Sequence, residues 1–351
     1  MRTHSFIRLP RALETAACLA LLVATPAAHG ASGQERAEDA GRELLGERAP
    51  ALALKTIDGQ PIDLESFYGR RPVYLKFWAT WCVPCRQQMP HFEHSYETRG
   101  GELAVIAVNT GFNETASDVI AYRRALGLKM PIVIDDGRLA RAFHLRVTPQ
   151  HIVIGRDGRI LYVGHLVDDA LEHALAQALA EPAPGTAAMA AAPANAGVER
   201  TASRGEEETV ASVTTLDGTV LSLTDPAGRQ STVLLFLSPW CESYLAQSRP
   251  ARAAACRSAR ERSERLARAG GARWIGIASG LWADRADLGE YRDKQHIAMP
   301  LSLDESGALF RHFHVSQVPI WVVLNPNGKV IRRIERVSPH LDEQLALADR
   351  S

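Results

Sequence analysis

An in-register repetition constrains this chain more than any other feature. Asp58-Gly59, Gly69-Arg70, Leu75, Phe77 and Trp81-Cys82 recur as Asp217-Gly218, Gly228-Arg229, Leu234, Phe236 and Trp240-Cys241 at one offset of 159 residues. Further on, Met130-Pro131, Phe143-His144, Pro149 and Asp157-Gly158 recur as Met299-Pro300, Phe313-His314, Pro319 and Asn327-Gly328. A repeat of this length is one fold used twice, and 351 residues are enough for two cores. The expected domains span 43–180 and 210–349. Between them, 181–209 is rich in Ala, Pro and Gly with no apolar periodicity, so it reads as a linker.

Within the first block, Val73 to Ala79 is a β-rich run ending at a cysteine motif, and Leu103 to Val108 and Ile132 to Ile134 are further apolar runs. Helical patterns cover Arg86 to Thr98, interrupted by Pro90, then Thr115 to Leu126, Leu139 to Leu145 and Asp168 to Ala180. Two last strands, His151 to Ile154 and Arg159 to Val163, flank the hairpin signal Asp157-Gly158. Strands alternating with helices and closing in a hairpin predict an α/β fold, a mixed sheet covered by helices, in each block.

Forty basic residues balance forty acidic ones, so nucleic acid or an anionic surface finds no net field to exploit. The N-terminus carries Arg2, Arg8 and Arg11, an apolar run from Ala16 to Ala28 and then Ala28-His29-Gly30. That is the pattern of a cleaved secretory signal over 1–30. The run falls short of the roughly 20 residues that cross a bilayer, so a membrane anchor is the weaker reading and a periplasmic protein is expected. Five cysteines are too few for a disulfide scaffold. Cys18 lies inside the signal, leaving Cys82, Cys85, Cys241 and Cys256.

Trp81-Cys82-Val83-Pro84-Cys85 sits where a strand gives way to a helix. The first sulfur then lies at a helix N-terminus, where unpaired N–H groups favour a thiolate, and the second lies one turn on, within bonding reach. Cys82 is suited to attack a disulfide and Cys85 to resolve the product. Zinc would need two further ligands at matching spacing, and no second Cys-x-x-Cys or His-x-His cluster stands nearby. His91 and His94 share a helix face and read as solvated surface rather than as a metal site.

Phe77-Trp78-Ala79-Thr80-Trp81-Cys82-Val83-Pro84-Cys85, with Pro90 five residues on and Val147-Thr148-Pro149 before a strand, resembles the TlpA/ResA-like thiol-disulfide oxidoreductases (redoxins) of the thioredoxin fold. The resemblance covers nearly all of both blocks and implies two tandem thioredoxin-like domains. It implies that Pro149 is cis, with Thr148 offering its backbone to an extended substrate segment. It also implies an active-site Glu near Glu114 and no cofactor. Where thioredoxins carry a buried Asp, this chain has Lys76, whose head either points inward or snorkels to the rim. Implied partners are exported proteins with disulfides, such as cytochrome c apoproteins or copper-site proteins, and a membrane thiol reductant of the DsbD/CcdA kind.

In the second block, Trp240-Cys241-Glu242-Ser243-Tyr244 keeps the first cysteine and puts Tyr244 in place of the second. On one continuous helix Cys256 would lie about 22 Å from Cys241, beyond the roughly 7 Å between Cα atoms that a disulfide permits. The pair can bond only if the chain breaks at Pro250. The expectation is therefore a degenerate domain without a complete dithiol cycle, serving to dock or regulate. Seven arginines between Arg249 and Arg268 read as a solvated helix face. The leading function is disulfide reduction through Cys82 and Cys85. One alternative is a peroxiredoxin-like peroxidase, which wants Thr or Ser three residues before its cysteine and Pro seven before; the first block has Ala79 and Leu75 there, the second Ser238 and Leu234. The other is a non-catalytic copper-binding or assembly module.

Overall fold

The computed structural model describes residues 39–182, 211–225 and 227–346. The expected signal and most of the expected linker lie outside the described residues. The first domain runs β1 (Ala53–Lys55), β2 (Pro61–Asp63), β3 (Val73–Trp78), α1 (Val83–Arg99), β4 (Ala104–Asn109), α2 (Ala116–Leu126), β5 (Ile132–Ile134), α3 (Arg138–Ala142), β6 (Gln150–Ile154), β7 (Ile160–Gly164) and α4 (Asp169–Ala180). The second runs β8 (Ser212–Thr214), β9 (Val220–Ser222), β10 (Thr232–Leu237), α5 (Cys241–Ser248), α6 (Pro250–Ala269), β11 (Arg273–Ser279), α7 (Arg285–Lys294), β12 (Leu301–Asp304), α8 (Ala308–His312), β13 (Ile320–Leu324), β14 (Val330–Ile334) and α9 (Leu341–Ala346).

The two sheets have one topology, β5-β4-β3-β6-β7 and β12-β11-β10-β13-β14. In each, the central strand pairs parallel with the strand that follows it and antiparallel with the first strand of the closing hairpin. The central strands β3 and β10 are buried along their whole length, which is why they read as near-continuous apolar runs. Alternation divides β3 between two faces. Val73, Leu75 and Phe77 join the cluster with Leu139 and Phe143. Tyr74 and Trp78 join Met89 and Phe92 of α1. Lys76 falls between Tyr74 and Trp78, so its side chain is committed to the face that α1 covers.

The duplication extends to helix starts. α2 opens on a capping box between Thr115 and Asp118, and α7 on one between Asp284 and Asp287, each satisfying orphan N–H groups at the first turn. The sequence differs from the structure at the second cysteine site. Arg249 leaves the helical region at φ −143° and ψ 65°, ending α5, and Pro250 begins α6, because a proline disfavours helical geometry in the residue before it. The chain folds back there. Cys241 and Cys256 come to 6.3 Å between Cα atoms and form a disulfide, so the chain break at Pro250 on which their pairing depended is present.

That bond closes a loop of 15 residues, worth about 3 kcal/mol through the unfolded chain. Cys256→Ala is expected to lower the stability to denaturant by about that amount, and non-reducing peptide mapping of the wild type should recover a peptide pair joined through Cys241 and Cys256. Finding both thiols free in the oxidised protein would refute the pairing.

Candidate active site

Cys82 is the N-cap of α1, and its Sγ accepts the backbone N–H of Cys85 at 3.2 Å. The two cysteines form a disulfide, their Cα atoms 5.2 Å apart. Pro84, exposed in the first turn of α1, lacks only an N–H that would have no helical partner there. Trp81 is fixed by its indole N–H, which donates to the Phe112 carbonyl at 2.8 Å. The Thr148-Pro149 peptide is cis, and the Thr148 carbonyl oxygen lies 3.6 Å from Cys82 Sγ. Val318-Pro319 is cis as well, with the Val318 oxygen 4.0 Å from Cys256 Sγ. In the second domain it is Cys256, on α6, that takes the place beside the proline loop.

A buried polar chain runs from β3 to Gln88 of α1, three residues past Cys85. Lys76 is fully buried, so its head does not snorkel to the rim. Lys76 Nζ donates to Gln88 Oε1 at 3.3 Å, and His151 Nε2 lies 2.8 Å from the same oxygen. Gln88 Nε2 donates to the His165 carbonyl at 3.0 Å, so Gln88 turns its oxygen inward and His151 must carry its proton on Nε2. That leaves His151 Nδ1 to accept from the Tyr74 hydroxyl at 2.7 Å. Burial holds His151 far below its ordinary pKa, with Lys76 adding to the effect, and the ring is neutral. Burial alone brings Lys76 down to about 7. Glu114, just ahead of the Thr115 cap, accepts from the Thr80 N–H at 2.9 Å and from Asn109 Nδ2 at 3.0 Å. Burial raises its pKa against those bonds. Glu114 thus braces the residue before Trp81 rather than merely starting a helix.

The second domain closes over this face. Trp81 stacks on Trp240, its counterpart in the repeat, at 5.0 Å and 23°, and meets Trp282 edge-on at 4.8 Å. Trp282 donates its backbone N–H to the Arg146 carbonyl at 2.7 Å and its indole N–H to Thr148 Oγ1 at 3.1 Å. The exchange is reciprocal. Asn113, at the equivalent loop of the first domain, donates to the Ser316 carbonyl and accepts the Val318 N–H, both at 2.8 Å. Tyr244, at the position of a resolving cysteine, has its hydroxyl 3.3 Å from the Val83 nitrogen, whose N–H it accepts. Arg249 reaches across to Thr80 Oγ1 and the Asn113 carbonyl, each at 2.7 Å.

Sequence reasoning missed several of these roles. Arg260 is nearly buried and clasps Glu242 through two bonds of 2.8 and 3.0 Å, while the Tyr291 hydroxyl donates to the same carboxylate at 2.7 Å. Burial pushes Glu242 up, and the Arg260 and Tyr291 bonds outweigh it, leaving the carboxyl below its usual range. This clasp ties the start of α5 to α6 on the same turns that carry Cys241 and Cys256. Arg252 likewise donates to the Val318 carbonyl, so the arginine run is in good part an internal contact rather than a solvated face. The missed signal was Glu242 immediately after Cys241, a charge at a position the strand-to-helix junction buries. His91 binds Glu172 of α4 at 2.7 Å and His94 is exposed. Among the described residues no three His, Cys, Asp or Glu gather as a metal site.

Residues 45–163 match the AhpC/TSA family. The chain is similar to the thioredoxin-like protein YneN of Bacillus subtilis, 34% identical over 133 residues that cover 37% of this chain and 78% of that protein. It is similar to the thiol-disulfide oxidoreductase ResA of Halalkalibacterium halodurans, 38% identical over 120 residues, covering 34% of this chain and 66% of the relative. The ResA of Bacillus subtilis is 30% identical over 128 residues, covering 35% and 70%.

Lys76 generates a stability test. Its folded pKa of about 7 lies below the ordinary 10.5, so between those values the unfolded chain binds more protons and stability rises with pH. The slope is at most about 1.4 kcal/mol per pH unit. In Lys76→Met that rise should be missing when urea midpoints at pH 7 and pH 9 are compared with those of the wild type; parallel pH profiles would show that Lys76 is not held neutral by burial.

Proposed function

The chain belongs to the ResA-like family of thiol-disulfide oxidoreductases, and from that membership we propose that Cys82 and Cys85 reduce disulfides in exported proteins. The protein is a protein-disulfide oxidoreductase of thioredoxin type. The observation that carries the assignment of roles is the placement of Cys82 at the N-cap of α1, bonded to Cys85 and 3.6 Å from the Thr148 carbonyl. In the reduced protein the Cys82 thiolate, favoured by the helix terminus, attacks one sulfur of a substrate disulfide. A mixed disulfide forms and one substrate thiolate leaves. Cys85 then attacks Cys82 Sγ, releases the second substrate thiol and restores the Cys82–Cys85 bond. A membrane dithiol reductant of the DsbD/CcdA kind would return the two electrons.

The periplasmic assignment rests on the N-terminal signal pattern, and among the described residues no helix is long and apolar enough to cross a membrane. Cytochrome c apoproteins and copper-site proteins are the substrate classes that the resemblance suggests. The AhpC/TSA match favours weighing a thiol peroxidase as the second reading. Against it, Ala79 and Leu75 stand where that chemistry wants a hydroxyl and a proline. In the second domain Ser238 supplies a hydroxyl, but Leu234 replaces the proline and Cys241 is held in a disulfide.

Cys82→Ser should abolish insulin reduction, whereas Cys85→Ser should accumulate a mixed disulfide that mass spectrometry locates on Cys82. Alkylation across a pH series should titrate Cys82 below the unperturbed thiol value of about 8.5. Faster modification of Cys85, or peroxide consumption with no disulfide reduction, would overturn this reading.

A further inference from the structure

The reactive sulfur is not open to a macromolecule. Cys82 is 2% exposed and Cys85 is fully buried, although both sit at a helix start on the edge of their own domain. The second domain packs on the residues that flank Cys82. The motif is engaged residue by residue: Thr80 by Arg249, Trp81 by Trp240 and Trp282, and Val83 by Tyr244. The loop beside the sulfur is engaged too, with the Arg146 carbonyl taking the Trp282 backbone N–H and the Thr148 hydroxyl taking its indole.

Trp282 itself is held at φ 61°, a left-handed conformation that a bulky residue seldom adopts. The backbone is bent there to deliver both donors to the first domain. A protein disulfide approaching Cys82 Sγ needs the space that Trp240, Tyr244 and Trp282 fill. It also needs the Thr148 backbone, and Trp282 sits on that loop through the Thr148 hydroxyl and the Arg146 carbonyl.

We infer that the second domain is an internal cap, with Trp282 and the start of α5 seated on the reactive face of the first domain in place of a protein substrate, and that turnover requires this cap to lift. The inference rests on the reading of Cys82 as the reacting thiol. It accounts for Tyr244 at the motif position of the second cysteine, whose role as partner of Cys241 has passed to Cys256: the Tyr244 hydroxyl is free to bind Val83 of the first domain. Because only the uncapped population reacts, observed rates scale with the fraction that is open.

The test uses the full-length protein, reduced, with the initial rate of Cys82 alkylation by a bulky polyethylene-glycol maleimide read by site-resolved mass spectrometry. Trp282→Ala should raise that rate about tenfold or more, and insulin reduction should rise with it. Arg249→Gln, which removes the bonds to Thr80 and Asn113 without touching the aromatic cluster, should act in the same direction and carries the test if Trp282→Ala does not fold. Circular dichroism and thermal melting establish that the variants are folded. Unchanged alkylation in a folded variant would overturn the cap. If alkylation rises while no variant and no wild-type protein reduces insulin, the cap stands and the disulfide-reductase reading falls.

Discussion

Everything distinctive about this molecule depends on the packing of one cysteine-bearing helix start against its own duplicate. Trp81 and Trp240 occupy one position of the repeat and stack on each other, so the face that each fold would otherwise show to solvent becomes shared core. Aromatic pairs contribute about 0.5–1.5 kcal/mol beyond the area they bury, but an indole is buried cheaply only if its N–H is satisfied. All three tryptophans meet that condition: Trp81 donates to Phe112, Trp240 to Leu281 and Trp282 to Thr148. The apolar cluster runs without a break from Tyr74 and Phe92 through Trp81 and Phe112 to Phe236 and Phe313. Polar, wet interfaces let domains move by default; this one is aromatic at its centre and bonded at its rim.

The two halves diverged most where chemistry is at stake. In the first domain Lys76 lies opposite His151 in the β3–β6 register, and in the second the same register sets Leu235 opposite Trp321. Tyr74, which closes the chain through His151, has Val233 at its equivalent. The buried polar chain therefore occurs only in the domain with Cys-Val-Pro-Cys. A buried ammonium without a carboxylate is costly, and the chain meets the cost by releasing the proton near neutrality, with Gln88 oxygen as the acceptor for Lys76 and His151 alike. The second domain spends the corresponding volume on Trp321, whose indole donates to Ser263 at 2.9 Å. It is a sheet with an ordinary apolar interior and a relocated disulfide.

The second disulfide shows how a small backbone event redirects a fold. Pro250 ends one helix and begins another, and Arg249, forced out of helical geometry, turns its guanidinium to Thr80 and Asn113. One break thus brings Cys256 to Cys241 and supplies a cation to the facing domain. The Glu242–Arg260 clasp holds the bend from inside.

The sequence alone determined the duplication, the order of the five main-sheet strands and their helices in the first half, and the placement of Cys82 and Cys85 at a strand-to-helix junction; the proline loop beside them was implied by the family resemblance. These follow from features a few residues apart: a period of two, a capping residue, a turn dipeptide, a cysteine one helical turn from another. Period two also committed Lys76 to the face of Tyr74 and Trp78, but whether that face was closed to water depended on where α1 came to rest. The bond between Cys241 and Cys256 depended on a chain direction after Pro250 that spacing leaves open. Only the tertiary structure decided that the two reactive faces meet, because the surface that Trp81, Trp240 and Trp282 bury is assembled from loops far apart in the chain, and no local pattern records which distant apolar patch will exclude water with which.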